Sequence, residues 1–167
     1  MRLTRAGEYA VRCALYLSSC PAGEVVSRKE IAEAMEIPGQ FLGKIAQRLA
    51  RAGIVEIVQG AKGGFRLLRS PDGLSLLDVV EATIGEILLN DCLMNPRICR
   101  RSQDCAVNKV WEKARDLLRA VLKEATFKTL MESQSCMTPS LPDCKKGKTI
   151  EGKKTTKKKG AHSKTGE

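Results

Sequence analysis

Apolar and small residues recur at helical spacing through the first 53 residues, and short interruptions divide them into three predicted helices. The first follows Thr4 and is expected to end near Pro21. The second follows Ser27, which has the spacing of a capping box with the glutamate three residues later. The third begins at Pro38, because proline suits a first helical turn, and ends at Gly53. The last two helices are short and tightly connected, which is typical of a helix-turn-helix.

The apolar period then changes from that of a helix to that of a strand. Residues 54–58 and 65–68 flank the glycine-rich segment 59–64, so the pattern predicts a β-hairpin with a glycine tip. A helix, a helix-turn-helix and a hairpin follow one another in the order of a winged helix-turn-helix domain, which we place at residues 1–70. The predicted fold class is therefore mostly α, with a two-stranded wing.

Helical periodicity returns in the second half of the chain. Ser75 is expected to cap a helix, a polar loop covers residues 90–104, and apolar positions from Val110 to Leu130 continue the helical repeat for about 20 residues, or roughly 30 Å. A single helix of that length has too wide an apolar face to stay alone in a small domain. The pattern favours a twofold homodimer, with residues 71–132 holding the polar loop and the dimerisation helices.

Charge divides the chain in the same places. Residues 1–70 carry a net charge of +5, residues 71–132 carry −1, and residues 133–167 carry +6, which together give +10. The last region is lysine-rich with almost nothing to bury, so we predict a disordered basic tail. It serves either as a solubility tail or as a nonspecific DNA-tracking arm. The excess of positive charge indicates a polyanionic partner, either double-stranded DNA or an anionic membrane surface.

Several classes of protein are excluded by composition. No apolar run is long enough to span a membrane, and the first residues lack the apolar core of a secretory signal. Seven cysteines without an export signal indicate a reducing cytoplasm, where thiols serve metal or redox chemistry more often than disulfides. No histidine lies outside the tail, and no nucleotide loop or catalytic carboxylate pair is recognisable, so we do not expect an enzyme.

The third helix has the two faces that DNA recognition requires. Phe41, Leu42, Ile45 and Leu49 are expected to face inward, while the outward stripe is rich in hydrogen-bond donors and free of carboxylates. Lysine, arginine and glutamine side chains on such a stripe can read base edges in the major groove, and each good bidentate contact contributes about 1–3 kcal/mol. Taken with the neighbouring helices and the wing, the expected DNA contacts are Arg2, Arg28, Lys29, Pro38, Gln40, Phe41, Lys44, Gln47, Arg48, Lys62 and Gly63.

The hairpin tip places Lys62 among three glycines, which let the backbone come close to a phosphate or enter a minor groove. The segment is not a Walker loop, since it lacks the Gly-Lys-Ser/Thr ending. Its GxxG spacing imitates a KH-domain loop, but that loop lies between helices, whereas this one lies between predicted strands. We therefore interpret it as the wing.

Three cysteines fall within fourteen residues of the predicted loop, as Cys92-x6-Cys99-x5-Cys105. Thiolates at this spacing can wrap a soft metal centre, and the three arginines between them would offset the charge of an anionic cluster. Zinc and iron–sulfur sites usually have four ligands, so one must come from elsewhere. Metal binding, redox chemistry and an incidental grouping all stay open on the spacing alone. Four other cysteines, Cys13 and Cys20 in the first helix and Cys136 and Cys144 near the tail, are expected to be bystanders.

The MRLT opening, the helix-turn-helix, the GAKGGF wing and the three cysteines before Val110-Trp111 occur together in the order of one known family. Over residues 1–132 the chain resembles the IscR/NsrR-type bacterial repressors, also called the Rrf-two family. The resemblance implies a homodimer that binds a dyad-symmetric operator. It also implies that Cys92, Cys99 and Cys105 hold an iron–sulfur cluster, either 2Fe-2S or 4Fe-4S, that controls DNA affinity.

Two departures from the family concern the fourth ligand. IscR-type members carry a histidine three residues beyond the last cysteine, where this chain has Asn108, and their first two cysteines are commonly separated by five residues rather than six. In NsrR-like proteins an acidic residue of the partner subunit's first helix is similar to a fourth ligand, and Glu8 is at the matching place. Glu8 is equally suited to a surface ion pair with Arg5 or Arg12.

The sequence therefore predicts a cytoplasmic, dimeric DNA-binding regulator, most simply a repressor, controlled by a cluster that senses iron–sulfur, redox or nitric oxide status. One alternative is a thiol- or zinc-dependent regulator on the same fold. Another, from a different class, is an iron–sulfur carrier or assembly accessory protein that uses its basic face on acidic proteins.

Overall fold

The fold was analysed in a computed structural model that describes residues 4–101 and 104–133. Arg2 and the predicted basic tail beyond Ser133 lie outside the described residues. The elements are α1 (Arg5–Ser19), α2 (Arg28–Ala34), α3 (Gly39–Arg51), β1 (Val55–Val58), β2 (Gly64–Leu67), α4 (Leu76–Ile84), α5 (Asp91–Met94), a 3-10 turn (Pro96–Ile98), α6 (Ala106–Glu124) and α7 (Phe127–Glu132).

The first helices begin and end where the sequence signals predict. The Thr4 hydroxyl accepts a hydrogen bond from the Gly7 amide at 3.3 Å and caps α1. Ser27 caps α2 by accepting from the Glu30 amide at 3.2 Å. The Glu30 carboxylate, predicted to close a capping box, accepts a hydrogen bond from the Tyr16 hydroxyl at 2.9 Å. This hydrogen bond joins α1 to α2.

The predicted hairpin is present, and it gains a third backbone segment that the sequence pattern did not reveal. β1 and β2 pair antiparallel with Ile57 opposite Phe65. Val26, between α1 and α2, exchanges two backbone hydrogen bonds with Phe65, at 2.8 and 2.9 Å. The chain passes so close at this point that a Cβ on Gly64 would lie 2.0 Å from the Val26 carbonyl oxygen. Glycine is therefore required for the wing to attach to the body.

The long apolar repeat in the second half of the chain is divided between two helices. We predicted one continuous helical segment to Leu130, and this is wrong, because α6 ends at Glu124 and Thr126 caps α7. The Ala125 carbonyl accepts from the Leu76 amide at 2.8 Å, so the break is fixed by the start of α4. Phe127 then enters the core and is fully buried.

One hydrophobic core extends across the boundary predicted at residues 70 and 71. It joins Tyr16 and Leu42 of the first half to Val79 and Phe127 of the second. A smaller cluster centred on Val80 packs α4 against the inner face of α6. Of the described helices, none is long and apolar enough to cross a membrane. The observed architecture is the predicted one, mostly α with a two-stranded winged helix-turn-helix.

Candidate nucleic-acid interface and cysteine segment

The third helix presents the predicted donor-rich face. Leu42, Ile45 and Leu49 are buried beneath it, while the side chains of Gln40, Lys44 and Gln47 are exposed. No acidic residue occurs in α3, so nothing on this face repels a phosphate backbone. Pro38 provides the non-helical residue before the first turn and is itself exposed. The face has the chemistry of a recognition helix.

Phe41 does not lie in the core, so its predicted inward orientation is wrong. The side chain is 43% exposed, and its ring packs against Tyr9 of α1 with centroids 6.0 Å apart. The helical repeat places Phe41 at the margin of the buried face, where the α1 surface replaces the core as its partner. Its exposure leaves it available to a bound duplex, so its role as a DNA contact stays a prediction.

Two basic residues at the start of α2 lie beside the recognition helix. The guanidinium of Arg28 donates to the Gly39 carbonyl and lies 3.6 Å from where a Cβ on Gly43 would be. Arg28 therefore covers the first turns of α3 and adds positive charge next to its donor face. Lys29 is exposed and lies 3.8 Å from Glu33 on its own helix, a pairing that contributes little in water.

Arg48 is held by a neighbouring helix. Its Nη1 atom donates to the carbonyl oxygen of Thr83, in the last turn of α4, at 2.6 Å. Helical periodicity predicted that Arg48 lies on the outward stripe of α3. It could not predict the contact with Thr83, because Thr83 lies 35 residues further along the chain. The guanidinium thus has an intramolecular partner as well as a place on the predicted DNA face.

The wing tip projects one exposed cation. Lys62 is exposed between β1 and β2, and Gly60 adopts a left-handed φ of 106° that allows the tight turn. A Cβ on Gly63 would lie 2.3 Å from the Val58 carbonyl oxygen, so the turn can close only with glycine there. The tip is therefore narrow and basic, as a backbone or minor-groove contact requires.

The three clustered cysteines occupy a connecting segment that leads into α6. Cys92 lies in α5, Cys99 follows the 3-10 turn, and Cys105 immediately precedes α6. All three are free thiols; Cys92 and Cys105 are half-buried and Cys99 is exposed. Asn108, in the first turn of α6, donates a hydrogen bond from Nδ2 to the Cys92 sulfur at 3.2 Å. The segment predicted as a polar loop is thus partly helical.

The donor chemistry of this segment suits a thiolate-bound metal centre, but its side chains are not gathered. Within residues 4–101 and 104–133, no three His, Cys, Asp or Glu side chains lie close enough together to hold a metal ion. An exposed Cys99 on a short 3-10 turn would have to move toward Cys92 and Cys105 for a shared centre to form. The three sulfurs are therefore candidate ligands whose assembly depends on what they bind.

Glu8 forms an ion pair with Arg12, which is the alternative to metal ligation that the sequence suggested. Its carboxylate lies 2.6 Å from Arg12 one turn later on α1, and both side chains are partly exposed. The Arg12 guanidinium also lies 5.8 Å from the centre of the Tyr9 ring. Ligation from a partner subunit would require Glu8 to leave this pair. Cys13, one residue further along α1, is fully buried, and burial raises the pKa of its thiol to about 12.

The outer face of α6 is apolar and uncovered. Leu118 and Leu122 pack inward against the small cluster on α4, whereas Val110, Leu117 and Val121 are 64%, 59% and 63% exposed. These exposed residues recur at helical spacing along one side of a 19-residue helix. The predicted dimerisation helix therefore has the exposed surface that its role requires.

Arg119 is a residue that sequence reasoning missed. From the polar side of α6 its Nη1 atom lies 3.0 Å from Glu81 of α4 and 2.8 Å from Glu86 just beyond α4. Glu81 also accepts a hydrogen bond from the Ile87 amide at 3.1 Å. Nothing in the local pattern distinguishes this arginine from the others on α6, because the contacts join residues more than 30 positions apart.

A family model described as "Rrf2: Iron-dependent Transcriptional regulator" matches residues 3–133. Among curated proteins, the chain is 39% identical over 137 residues to Protein aau3 of Rhizobium meliloti, covering 80% of this chain and 87% of that protein. It is 30% identical over 135 residues to the HTH-type transcriptional regulator NsrR of Bacillus subtilis, covering 80% and 92%.

Solved structures show the same architecture. CymR of B. subtilis, described as the global cysteine regulator, superposes with a TM-score of 0.63 at 23% identity over 78% of this chain and 95% of that chain, a likeness of fold. IscR of T. potens superposes with a TM-score of 0.58 at 25% identity, over 79% and 87% of the two chains.

Proposed function

Because the chain belongs to the Rrf2 family of transcriptional regulators, we propose that it represses transcription from a dyad-symmetric operator and that the state of its cysteine segment controls its DNA affinity. The observation that carries this proposal is the exposed, carboxylate-free face of α3 beside a basic wing tip. The prediction that the chain is not an enzyme is confirmed, since its relatives are HTH-type regulators.

The DNA-binding half uses two kinds of contact. Gln40, Lys44 and Gln47 enter the major groove and read base edges, while Arg28, Lys29 and Lys62 follow the phosphate backbone. Arg2 lies in the same region of the sequence and is expected to add one more backbone contact. Phosphate contacts make the affinity depend steeply on salt, whereas the contacts of α3 determine sequence preference.

Dyad symmetry follows from a second copy of the chain. The exposed stripe of Val110, Leu117 and Val121 is self-complementary when two α6 helices pack around a twofold axis. The pair of recognition helices then meets two half-sites in successive major grooves, about 34–36 Å apart. Burial of this stripe also explains how a helix with no buried residue in the single chain remains stable.

Cys92, Cys99 and Cys105 would supply three thiolate ligands to an iron–sulfur cluster, with Glu8 of the partner subunit as the fourth. Such a cluster supplies redox and ligand-exchange chemistry, and a carboxylate on iron is readily replaced by a small molecule. Closing the segment around any centre orders Cys99 and repositions Cys105 at the start of α6. A hundredfold change in DNA affinity requires about 2.7 kcal/mol of differential binding, which one reordered segment can provide.

A thiol-dependent regulator on the same fold is the second candidate. The observation that favours it is the exposed, free Cys99 within a segment whose sulfurs are not gathered for a metal. Thiol–disulfide exchange with a low-molecular-weight disulfide, which would convert two of these thiols to a disulfide and release two small thiols, would then reorder the segment in place of cluster binding. Cys13, Cys92, Cys99 and Cys105 are free thiols, whereas Cys20, which we expected to be a bystander, is in a disulfide, so the thiols alone do not assign a compartment. We propose a cytoplasmic location because the chain belongs to a family of transcriptional regulators, which act on DNA.

DNA binding is tested with full-length protein and a duplex that the protein itself selects from a random-sequence library. We expect a symmetric footprint and an affinity that falls as salt rises. The Gln47→Ala change should weaken binding by about 1–3 kcal/mol at one base pair of each half-site and leave other positions unaffected. Lys113→Ala, which removes a cation from α6, is the control. A protein that selects no duplex, or selects one without symmetry, contradicts the proposal.

A further inference from the structure

The Arg48 guanidinium joins the recognition helix to α4. Its Nη1 atom donates a hydrogen bond of 2.6 Å to the backbone carbonyl oxygen of Thr83, near the end of α4. Carbonyl groups in the last turn of a helix lack an intrahelical partner and carry partial negative charge, so a guanidinium binds there favourably. A charge-assisted bond of this kind fixes the distance between the two helices.

The same end of α4 is held from the other side by α6. Arg119 contacts Glu81 at 3.0 Å and Glu86 at 2.8 Å, and these carboxylates lie on both sides of Thr83 in sequence. The residue that follows the α4 helix, Gly85, has φ 85° and ψ −177°, a conformation that is essentially restricted to glycine. The contacts of Arg48 and Arg119 therefore hold the end of α4 between α3 and α6.

The cysteine segment ends at the start of α6. Cys105 immediately precedes the helix, and Asn108 in its first turn contacts the Cys92 sulfur at 3.2 Å. A continuous path of contacts thus leads from the cysteine segment along α6, through Arg119 to the end of α4, and through Arg48 to α3.

We propose that Arg48 is a positioning residue that couples the cysteine segment to the angle of the recognition helix, through the Thr83 carbonyl and the Arg119 ion pairs. This inference rests on the proposed function, since it assumes that two states of the segment differ in DNA affinity. It assigns Arg48 a role distinct from that of Lys44 and Gln47, which have no such tie to α4.

The test measures the ratio of DNA dissociation constants between two states of the full-length protein, prepared anaerobically with the cluster and after its removal by a chelator and an oxidant. The probe is the duplex that the wild-type protein selects. Arg48→Ala and Arg119→Ala are compared singly and together, as a double-mutant cycle. Arg51→Ala is the matched control on α3, and Lys113→Ala is the control on α6, because Lys113 is exposed and lies away from the Arg119 ion pairs.

We expect a wild-type ratio of about tenfold or more. Arg48→Ala and Arg119→Ala should each reduce that ratio to within about threefold of unity, and the double variant should lose no more than either single one, because both act on one link. Arg48→Lys keeps the positive charge but lacks the planar guanidinium donor. It should therefore also bring the ratio of dissociation constants close to unity, while the salt dependence of DNA binding stays as in the wild type. Arg51→Ala and Lys113→Ala should keep the wild-type ratio.

Two results overturn the inference. If Arg48→Ala weakens binding equally in both states and the ratio persists, Arg48 is a DNA contact only, and the proposed function stands without this link. If the wild-type protein binds the duplex with the same affinity in both states, the proposed control by the cysteine segment fails, and the coupling role of Arg48 fails with it.

Discussion

Two glycines near the DNA-binding surface differ in how much space surrounds them. A Cβ on Gly64 would collide with the Val26 carbonyl oxygen at 2.0 Å, whereas a Cβ on Gly43 would meet the Arg28 guanidinium at an ordinary 3.6 Å. The first neighbour is backbone and cannot move without breaking the pairing of Val26 with Phe65. The second is the far end of a flexible side chain.

Gly64→Ala is therefore expected to lower the free energy of unfolding by about 1–3 kcal/mol, the usual range for overpacking. Gly43→Ala should leave the free energy of unfolding unchanged or raise it by up to about 1 kcal/mol, because alanine favours a helix interior. Urea denaturation of both variants checks this pair. Equal destabilisation by the two changes would show that the wing is not packed against Val26 as described.

Alkaline pH should destabilise the protein through two buried residues of α1. Burial raises the pKa of Cys13 to about 12, and burial followed by the hydrogen bond to Glu30 raises the pKa of Tyr16 to about 12. Both groups are neutral when protonated, so the folded state holds these protons more tightly than the unfolded state does. Their contribution is fully present below pH 9 and is lost as pH rises to about 12.

Urea denaturation between pH 8 and pH 12 should therefore show a falling free energy of unfolding, with the decline between pH 9 and 10 due to Cys13. Cys13→Ala should remove the decline between pH 9 and 10 and make the decline above pH 10 shallower, whereas Tyr16→Phe should affect only the decline above pH 10. At neutral pH, Tyr16→Phe should also lower the free energy of unfolding by about 1–3 kcal/mol, because the Glu30 carboxylate loses a donor. A pH profile unchanged by both substitutions would contradict this assignment.

The sequence predicted side-chain chemistry better than side-chain partners. Helical spacing correctly separated Lys44 and Gln47 from the buried side of α3, since amphipathic periodicity is a local property. It misplaced Phe41, which lies at the margin of that face and packs on Tyr9. It gave no sign of the Arg48 contact with Thr83, because such a contact depends on how two distant helices pack.

The prediction of a homodimer rests on the exposed apolar face of α6. The outer face of α6 exposes Leu117 at 59% and Val121 at 63%, and Ala120 is also exposed but lies off this stripe. Leu117→Glu places a charge at the centre of the predicted interface and should yield a monomer with much weaker operator binding. Analytical ultracentrifugation of full-length protein measures the change.

Ala120→Glu introduces the same charge one residue before Val121, on the polar side of α6, and is expected to remain a dimer. Monomeric behaviour in both variants would indicate general unfolding of α6, and circular dichroism would reveal it. A Leu117→Glu protein that stays dimeric and binds its operator as the wild type does would show that another surface forms the dimer.

Element boundaries were predictable where capping residues mark them. Thr4, Ser27 and Ser75 each cap the helix expected after them. The break between α6 and α7 was missed, although Thr126 is a good capping residue, because the apolar repeat continues through it. The strand-like pairing of Val26 was also missed. A single paired residue produces no alternating pattern in the sequence, and its partner, Phe65, lies 39 positions away.

At the scale of the molecule, the DNA-binding and cysteine-bearing halves share one core. Leu42 of α3 and Phe127, which follows α6, belong to the same buried cluster. Composition and charge divided the chain into three regions, and the first two, residues 1–70 and 71–132, differ in charge although they share this core. In the proposed control of DNA affinity, this common core would let a change near Cys105 reach α3 without a flexible hinge.

The cysteine site is the part that sequence and fold leave least determined. Spacing predicted three candidate ligands in one segment, and Cys92, Cys99 and Cys105 do lie in one segment around the start of α6. In the proposed assembly their convergence would depend on a bound centre and on a second subunit, and neither is encoded in the packing of a single chain. Such a site would form by coupled binding and folding rather than in advance.

The most direct measurement of the central claim follows one anaerobic sample of full-length protein by its visible spectrum and by its affinity for its selected duplex, before and after cluster removal. The account predicts iron–sulfur absorption in the wild type and a change in affinity of about tenfold or more on its loss. The Cys92→Ser variant should be colourless and fixed in the stripped-state affinity, whereas Cys13→Ala, which removes a free, buried thiol outside the cysteine segment, should behave as the wild type does. A Cys92→Ser protein that binds the duplex with the affinity of the wild type in both states would contradict the account.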